Sequence, residues 1–334
     1  MRVVVTGATG NVGTSVLRSL SRDPAITEIL GLARRIPELQ VPKTRFVAAD
    51  VTRDDLVSLF RGAEVVVHLA WRLQPSRDEK ALERVNVRGS RRVFAAVADA
   101  AVPRLVYASS VGAYAAGPKD RFVDESWPAT GIATSVYSRQ KAAVEDSLDR
   151  LERERPNLRV TRLRPGLIFK RTAGSEVKGL FIGKYWPKWL FRRSIVPVVP
   201  DTPGLRFQAV HSFDAGEAYR LAVLSGERGA FNIAADPVLD PDVLADTLHA
   251  RKLPLSRQLL RQLGAGSYWL HLHPADPGWL DLALNVPLMD SSRARRELGW
   301  HPKRSSREAL LELFEGLRHG AGLPTAPLSP QAAG

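Results

Sequence analysis

Near the amino terminus the sequence reads Arg2-Val3-Val4-Val5-Thr6-Gly7-Ala8-Thr9-Gly10-Asn11-Val12-Gly13. The apolar run predicts a buried β-strand over 2–6, and the apolar periodicity that follows predicts a helix over about 12–21. Glycines between a strand and a helix allow a tight turn and let phosphate groups approach the backbone. Backbone N–H groups at a helix N-terminus stabilise negative charge. This placement predicts a dinucleotide-binding loop made of Gly7, Thr9, Gly10, Asn11, Val12 and Gly13.

The first half of the chain alternates short apolar runs with amphipathic stretches. This alternation predicts an α/β fold with a doubly wound, Rossmann-like parallel sheet, because nearly continuous apolar runs suit strands buried on both faces. The further predicted strands are 29–33, 44–48, 63–69, 104–108 and 159–163. The further predicted helices are 54–60, 79–100 and 134–155.

The pattern changes after Pro165-Gly166, where 167–210 becomes rich in aromatic residues and proline without a clear period. We expect a smaller C-terminal substrate-binding cap there. A helix over 211–224 and a strand over 229–234 predict a return to the nucleotide-binding domain, which therefore comprises 1–166 and 211–234. The cap comprises 167–210 and 235–320, with mixed helix and loop in its second part. We expect 321–334 to be a flexible tail with little to bury.

The composition combines ordinary globular content with a high positive charge. The 334 residues carry a net charge of +13, and the basic residues are spread along the chain, often beside acids, as in 149–155. No basic block is interleaved with aromatic residues, so we expect no nucleic-acid partner. Attraction for an anionic ligand such as a phosphorylated cofactor explains the sign of the charge more simply.

Cysteine is absent, which rules out disulfides and thiolate chemistry and fits a cytoplasmic location. The sequence has no run of 18 uncharged apolar residues and no signal-peptide pattern. We therefore expect no membrane partner. His271-Leu272-His273 lacks a third ligand in the sequence, so we predict no metal site.

The choice between NAD and NADP depends on the end of the second predicted strand. An acidic residue at this point would bind the ribose 2′-hydroxyl of NAD, but the sequence reads Leu32-Ala33-Arg34-Arg35. A guanidinium can pair with the 2′-phosphate of NADP. We therefore favour NADP over NAD, with Arg34 and Arg35 as the contacts. The alternative is that both arginines are simply solvated.

Tyr137 and Lys141 are four residues apart in a predicted helix and so lie on one helix face. A free tyrosine has a pKa near 10 and is a poor base at neutral pH. A lysine ammonium beside it, together with a positive nicotinamide ring, favours the phenolate and lowers that pKa. The two residues are therefore predicted to form a proton-transfer pair.

Other motifs follow the glycine-rich loop in a fixed order. They are Asp50-Val51, His68-Leu69-Ala70, Asn86-Val87-Arg88-Gly89, Ala108-Ser109-Ser110, Tyr137-x-x-x-Lys141, Arg164-Pro165-Gly166 and a late segment over 291–300. In this order the chain resembles the extended short-chain dehydrogenase/reductases, the NAD-dependent epimerase/dehydratase group. The resemblance covers about residues 1–318.

The resemblance implies a role for each matching residue. Tyr137 would be the acid/base at the substrate oxygen, and Lys141 would lower its pKa and hold the nicotinamide ribose. Ser110, rather than Ser109, would hydrogen-bond the reacting oxygen. Asn86 would be structural.

The resemblance also implies further cofactor contacts and a quaternary state. Asp50 and Val51 would flank the adenine, Leu69 and Ala70 the ribose side of the cofactor, and Pro165 the nicotinamide. The helices over 79–100 and 134–155 would pair in a homodimer. His68 is expected to be a packed residue at a strand end.

Two departures from the family's pattern bear on the reaction. Nucleotide-sugar members carry an asparagine soon after the sixth strand, but 167–200 contains none. Dehydratase members place acids beside the catalytic hydroxyl, and Ser110-Val111-Gly112 has none. These absences favour a ketone/alcohol oxidoreductase that acts on a fairly apolar substrate.

Two alternatives remain open. A nucleotide-sugar epimerase could use Arg192, Arg193 or Arg206 to bind a diphosphate. A non-catalytic NADP-binding regulatory protein would be expected to have lost the Tyr137/Lys141 pair, which this chain keeps. The aromatic cluster over 181–191 is either a cap core or part of the substrate site.

Overall fold

The computed structural model describes residues 1–73, 78–177, 198–269 and 276–329. The strands are β1 (Arg2–Thr6), β2 (Glu28–Ala33), β3 (Thr44–Ala48), β4 (Val65–His68), β5 (Arg104–Ala108), β6 (Phe122–Val123), β7 (Arg159–Pro165), β8 (Leu167–Phe169), β9 (Val198–Asp201), β10 (Phe207–His211), β11 (Gly229–Ile233), β12 (Ala235–Leu239), β13 (Arg251–Pro254) and β14 (Leu288–Met289). The helices are α1 (Asn11–Ser21), α2 (Leu56–Phe60), α3 (Glu79–Glu83), α4 (Gly89–Asp99), α5 (Val136–Glu154), α6 (Gly174–Val177), α7 (Ser212–Ser225), α8 (Pro241–Leu248), α9 (Arg257–Trp269), α10 (Pro277–Asn285), α11 (Ser292–Glu297) and α12 (Ser306–His319). Across these ranges, none of the helices has the length and apolar character needed to cross a bilayer.

Seven strands form one parallel sheet in the order β3-β2-β1-β4-β5-β7-β11. The chain moves outward from β1 to β3 and then crosses back to β4 on the other side of β1. The prediction of a doubly wound, Rossmann-like sheet is therefore confirmed. In such sheets the carboxyl ends of the strands open a crevice at the point where the order reverses.

Apolar layers cover both faces of this sheet because alternate side chains of a strand point to opposite faces. Val3 and Val5 of β1 pack with α1 in one layer, whereas Val4 packs with α4 and α5 in the other. These valines are fully buried. Burying such a side chain contributes roughly 1.5–3 kcal/mol, and this explains why the run over 2–6 forms a central strand.

The helix expected over 79–100 is interrupted by a wide π-helical turn over Arg84–Arg88, which lies between α3 and α4. Within this turn the Asn86 side chain accepts a hydrogen bond from the Arg72 backbone and donates one to Gln140. Periodicity cannot reveal these tertiary contacts. The strand expected over 63–69 is shorter, and the strand expected over 159–163 continues to Pro165.

The second half contains strands that the sequence did not predict within 235–320. β12 joins β10 and β8 in a three-stranded sheet, β13 pairs with β9, and β14 pairs with β6. These strands are short and pair with distant segments, so a local pattern could not specify them. Residues 178–197, with the aromatic cluster and with Arg192 and Arg193, lie outside the described residues, as do His271 and His273.

Helix α7 returns to the nucleotide-binding half and packs closely on α1. A Cβ atom at Gly216 would lie 2.7 Å from the Ser15 carbonyl oxygen, so the close approach requires glycine at this position. The hydroxyl oxygens of Ser15 and Ser212 are 2.8 Å apart across the same contact. The predicted helix over 211–224 thus covers the helix that begins at the glycine-rich loop.

Within the expected tail over 321–334, residues Thr325 and Leu328 are buried. Leu328 is fully buried. The Thr325 hydroxyl donates a hydrogen bond to the Thr9 carbonyl oxygen at 2.9 Å. One leucine and one threonine carry this contact. The Pro- and Ala-rich composition of the segment as a whole does not reveal it.

Candidate active site

The glycine loop, residues 7–13, connects β1 to α1 at the reversal of the strand order. Gly7 has a φ of +69°, and a Cβ on it would lie 2.7 Å from the Ala70 backbone nitrogen. A Cβ at Gly13 would lie 2.3 Å from the Gly7 carbonyl oxygen. The loops after β1 and β4 are therefore in backbone contact, and no larger side chain fits at either glycine.

The N-terminus of α1 is suited to an anion. Among the described residues, no side chain caps this helix at Gly10, and its first turn contains no acid. By contrast, Asp55 caps α2 and Asp240 caps α8. The first amides of a helix have no partner within the helix. The loop therefore fits the pyrophosphate of a dinucleotide, as the sequence predicted.

The other predicted cofactor residues lie along the carboxyl edge of the same sheet. Arg34 and Arg35 directly follow β2 and are exposed. Asp50 and Val51 follow β3, and Leu69 and Ala70 follow β4. Pro165 is the last residue of β7 and is buried. Parallel strands bring these segments together although they are far apart in sequence.

Asp50 is held as a carboxylate. Its Oδ1 accepts hydrogen bonds from the Thr52 backbone at 2.9 Å and the Thr52 hydroxyl at 2.7 Å. Burial opposes ionisation, but these bonds and the charges of Arg53 and Arg34 lower the pKa of Asp50. The Arg34 charge therefore acts at the proposed adenine end of the site.

Ser110 and Tyr137 are brought together by a turn and a helix. Ser110 ends the segment after β5, where its Oγ accepts a hydrogen bond from the Gly112 backbone at 3.0 Å and also contacts the Tyr137 phenol. A Cβ on Gly112 would lie 2.7 Å from Tyr137 Cε1, so glycine makes room for the ring. Ser138 fixes the helix start, since its hydroxyl donates to the Gly112 carbonyl at 2.6 Å.

Lys141 lies one turn further along α5 and is 3% exposed. Its Nζ donates to the Ala108 carbonyl oxygen at 2.7 Å, and it lies 3.6 Å from the centroid of the Trp71 ring. The centroid of the Tyr137 ring is 5.9 Å from this nitrogen. The ammonium is therefore desolvated and held by a carbonyl and an indole.

Burial of the phenol acts against the lowering of the Tyr137 pKa that the sequence predicts for the bound cofactor. Burial raises the pKa of Tyr137 to about 12, and the bond from Ser110 offsets only part of this effect. Burial likewise lowers the pKa of Lys141 to about 7, against the charge of Glu145. Burial is the largest effect on both groups because both side chains are enclosed.

Two tryptophans flank the phenol, and the sequence reasoning missed both. Trp279 of α10 lies with its ring centroid 4.8 Å from that of Tyr137 at 31°, and Trp71 lies at 5.9 Å and 77°. Trp71 directly follows the His68-Leu69-Ala70 motif, which could have indicated it. Trp279 comes from the distant 277–285 segment, and no sequence signal connects it with the site.

A buried ion-pair network lies next to Lys141 on α5. Glu145 accepts hydrogen bonds from Arg162 at 2.9 Å, from Arg164 at 2.9 Å and from the Ser109 hydroxyl at 2.5 Å. Burial opposes ionisation, but Arg164, Arg162 and Ser109 lower the pKa of Glu145 to about 2. The spacing of four from Lys141 to Glu145 was the available signal. Ser109 therefore faces this network, whereas Ser110 faces Tyr137.

His68 is a packed strand-end residue. Its Nδ1 lies 2.7 Å from the Thr6 hydroxyl, and its Nε2 lies 2.9 Å from the Ser90 hydroxyl. Burial lowers its pKa to about 3. The ring is therefore neutral and connects β1, β4 and α4.

The parallel sheet, the reversal point and the uncapped glycine loop define a Rossmann-like dinucleotide-binding protein. Residues 3–234 match the NAD dependent epimerase/dehydratase family, and the chain belongs to this family. It is therefore an enzyme of a nicotinamide-cofactor family, as the motifs indicated.

Relatives include an uncharacterised protein, Mb0513, of Mycobacterium bovis, which is 28% identical over 333 residues that cover 94% of this chain and 83% of the relative. A sterol-4-alpha-carboxylate 3-dehydrogenase (decarboxylating) of Candida albicans is 27% identical over 190 residues, 53% of each chain. The structure of a UDP-glucose-4-epimerase from Stenotrophomonas maltophila with bound NAD is similar to this one, with a TM-score of 0.70 and 19% sequence identity. The match covers 95% of this chain and 98% of that chain.

Proposed function

We propose that the protein is an NAD(P)-dependent oxidoreductase that interconverts an apolar ketone and its alcohol with Ser110, Tyr137 and Lys141. The observation that carries this proposal is that Ser110 and Tyr137 both pack against Gly112, with hydrogen bonding from Ser110 acting on the phenol. A hydroxyl from the turn after β5 and a phenol from the first turn of α5 can both bond one carbonyl oxygen.

The proton that carbonyl reduction requires is present on Tyr137. A bound NAD(P)H supplies a hydride to the carbonyl carbon. Tyr137 Oη, protonated at neutral pH because burial raises its pKa to about 12, donates its proton to the carbonyl oxygen. Ser110 Oγ holds that oxygen during the transfer. The Lys141 ammonium stabilises the phenolate that remains, until a proton returns from solvent.

The surroundings of Tyr137 support an apolar substrate. Trp279 covers one side of the phenol, and Ile132, Leu282 and Val286 form a buried cluster against both rings. Such walls bind apolar molecules through buried surface rather than hydrogen bonds. The similarity to a sterol-4-alpha-carboxylate 3-dehydrogenase, whose name denotes a sterol substrate, supports this proposal.

NADP is the proposed cofactor. Arg34 and Arg35 are exposed directly after β2, where a 2′-phosphate would lie. The Arg34 charge also contributes to the lowered pKa of Asp50, a residue proposed to flank the adenine, and this supports the proposal.

A carbonyl panel tests the reaction. Purified protein is incubated with NADPH and with aliphatic, aromatic and polycyclic ketones, and NADPH consumption is followed. Turnover is expected to fall about 100-fold or more in Tyr137→Phe, while Tyr114→Phe, which alters another buried tyrosine, retains it. Tight NADPH binding without turnover of any carbonyl would instead indicate a regulatory protein.

One observation favours a second candidate, a nucleotide-sugar epimerase. Arg206 Nε is buried and has no partner among the described residues, and Arg206 lies with Lys119 and Arg257 in a cluster of cations. Lys119 Nζ donates to the Arg206 carbonyl at 2.8 Å. If UDP or dTDP raises the melting temperature and Arg206→Ala removes that effect, the epimerase replaces the ketone reductase as the proposed function.

We also propose that the protein is a homodimer that pairs through α4 and α5. The two helices are adjacent, with Arg91 Nε donating to the Ser147 hydroxyl at 3.0 Å on their exposed side. A second copy could cover this face and form a four-helix bundle. Sedimentation as a monomer at micromolar concentration would refute the dimer.

A further inference from the structure

Lys170 places an ammonium group behind the glycine loop. The residue follows β8, and its side chain is 2% exposed. Its Nζ donates to the Asn11 carbonyl at 2.7 Å, to the Thr14 hydroxyl at 2.6 Å and to the Ser15 hydroxyl at 3.2 Å. All three acceptors belong to the first turns of α1, the helix that begins at the glycine loop.

Further hydrogen bonds connect Asn11, at the start of α1, to the segment before Lys170 and to the start of α7. The Asn11 side-chain amide donates to the Ile168 carbonyl at 3.0 Å, and the Ser212 hydroxyl donates to the Asn11 carbonyl at 3.2 Å. The Lys170 ammonium therefore has a fixed position relative to the amides at the start of α1. A flexible surface lysine would not have this property.

The environment of the ammonium is unfavourable when the loop holds no anion. The three acceptors are neutral, and a cation near a helix N-terminus opposes the helix dipole. Burial lowers the pKa of Lys170 to about 7, and Arg18 lowers it further, while Glu176 acts in the opposite direction. Burial raises the pKa of Glu176 to about 7, against the charge of Lys170. Arg18 and Glu176 are the charged groups that act on Lys170 within the described ranges.

We propose that Lys170 is a positioning residue for the dinucleotide, which adds a buried positive charge to the pyrophosphate site without touching the phosphates. The inference rests on the proposed cofactor but not on the proposed reaction. A pyrophosphate at the loop stabilises the ammonium, and by linkage the ammonium stabilises the bound pyrophosphate to the same extent. Binding is therefore accompanied by proton uptake near neutral pH.

The direction in which NAD affinity changes with pH follows from Lys170 and Glu176 together. As pH rises through about 7, Lys170 loses its proton and Glu176 loses its own, so the local charge becomes less positive. NAD affinity is therefore expected to fall as pH rises from 6 to 9, although the NAD pyrophosphate itself does not titrate there.

Calorimetric titration with NAD tests the proposal, since it needs no substrate and no turnover. At pH 6, Lys170→Met is expected to raise the Kd for NAD about tenfold, and at pH 9 the two proteins should bind nearly equally. Lys43→Met is the matched control, because it removes the same charge at the amino ends of the strands, where Lys43 Nζ bonds the Asp23 carbonyl. Its Kd should match that of the unmodified protein at every pH.

Proton uptake in the unmodified protein keeps the test decisive if Lys170→Met does not fold. Titrations in buffers of different ionisation enthalpy should show net uptake at pH 7.5, and Lys119→Met, which removes another lysine whose pKa burial lowers to about 7, should retain it. An unchanged Kd at pH 6 in Lys170→Met, or no uptake in the unmodified protein, overturns the proposal. Failure of every ketone to react would leave these results intact and would count only against the proposed reaction.

Discussion

The Lys141 ammonium nitrogen lies 3.6 Å from the centroid of the Trp71 ring, while its hydrogen bond to the Ala108 carbonyl measures 2.7 Å. A ribose hydroxyl that bonds this nitrogen must therefore approach it beside Trp71. Cation–π contacts of desolvated groups contribute about 1–2 kcal/mol, so the contact constrains Lys141.

This contact predicts a spectroscopic signal. Binding of oxidised NADP should change the tryptophan fluorescence, because the cofactor enters the surroundings of Trp71. Trp71→Phe should lose most of the change, whereas Trp127→Phe, which removes a tryptophan elsewhere, should retain it. An undiminished signal in Trp71→Phe would show that the indole does not adjoin the bound cofactor.

The two serines after β5 should have separable effects. Ser110→Ala should lower kcat about 10- to 100-fold, because the reacting oxygen loses a hydrogen-bond donor. Ser109→Ala should retain kcat but lower the free energy of unfolding by about 1–3 kcal/mol, because buried Glu145 loses a donor. Steady-state kinetics and urea unfolding measure the two effects. A reversed pattern would assign the reacting oxygen to Ser109.

Cofactor choice should depend on the arginines after β2. The double variant Arg34→Ala/Arg35→Ala should weaken NADP binding about tenfold or more while NAD binding stays the same, because a guanidinium pairs with the 2′-phosphate alone. Arg61→Ala removes an arginine at the opposite edge of the sheet and serves as the control. Equal turnover with both cofactors, unaltered by the double variant, would remove the preference for NADP.

Stability should fall in mild acid because of His68. The folded protein has a His68 pKa of about 3, while an unfolded histidine titrates near 6.5. The unfolded state therefore binds more protons below pH 6.5, and this lowers the free energy of unfolding by up to about 1.4 kcal/mol for each pH unit. His68→Asn should flatten the dependence between pH 6.5 and 5, whereas His319→Asn, at an exposed histidine, should not. If the free energy of unfolding depends on pH in His68→Asn as it does in the unmodified protein, the proton is taken up by another group.

The packing of 321–329 predicts a measurable contribution from Leu328. Leu328→Ala should lower the free energy of unfolding by about 2–4 kcal/mol, because the side chain is fully buried. Ser329→Ala alters the exposed neighbouring residue and should change it by less than about 0.5 kcal/mol. A neutral Leu328→Ala would mean that this segment does not contribute to folding.

Local patterns predicted the nucleotide-binding half well, because its strands are apolar and its helices are amphipathic. Helical spacing also indicated Tyr137 and Lys141, and the family resemblance indicated Ser110 at a strand end. They could not indicate Trp279 or Lys170, since nothing near these residues in sequence relates them to the site. Local patterns also could not predict that Tyr137 stays protonated, because its pKa depends on how completely neighbouring segments exclude water.

The order of motifs along the chain was sufficient to predict a parallel α/β sheet, a phosphate-binding loop and a tyrosine–lysine pair. These properties follow from local geometry, namely glycine conformations and the four-residue period of a helix. The enclosure of the phenol by two tryptophans, the buried ammonium under the loop and the anchoring of Thr325 on Thr9 arose only when distant segments packed together. Desolvation and contacts between remote residues depend on that packing, so only the tertiary structure decided them.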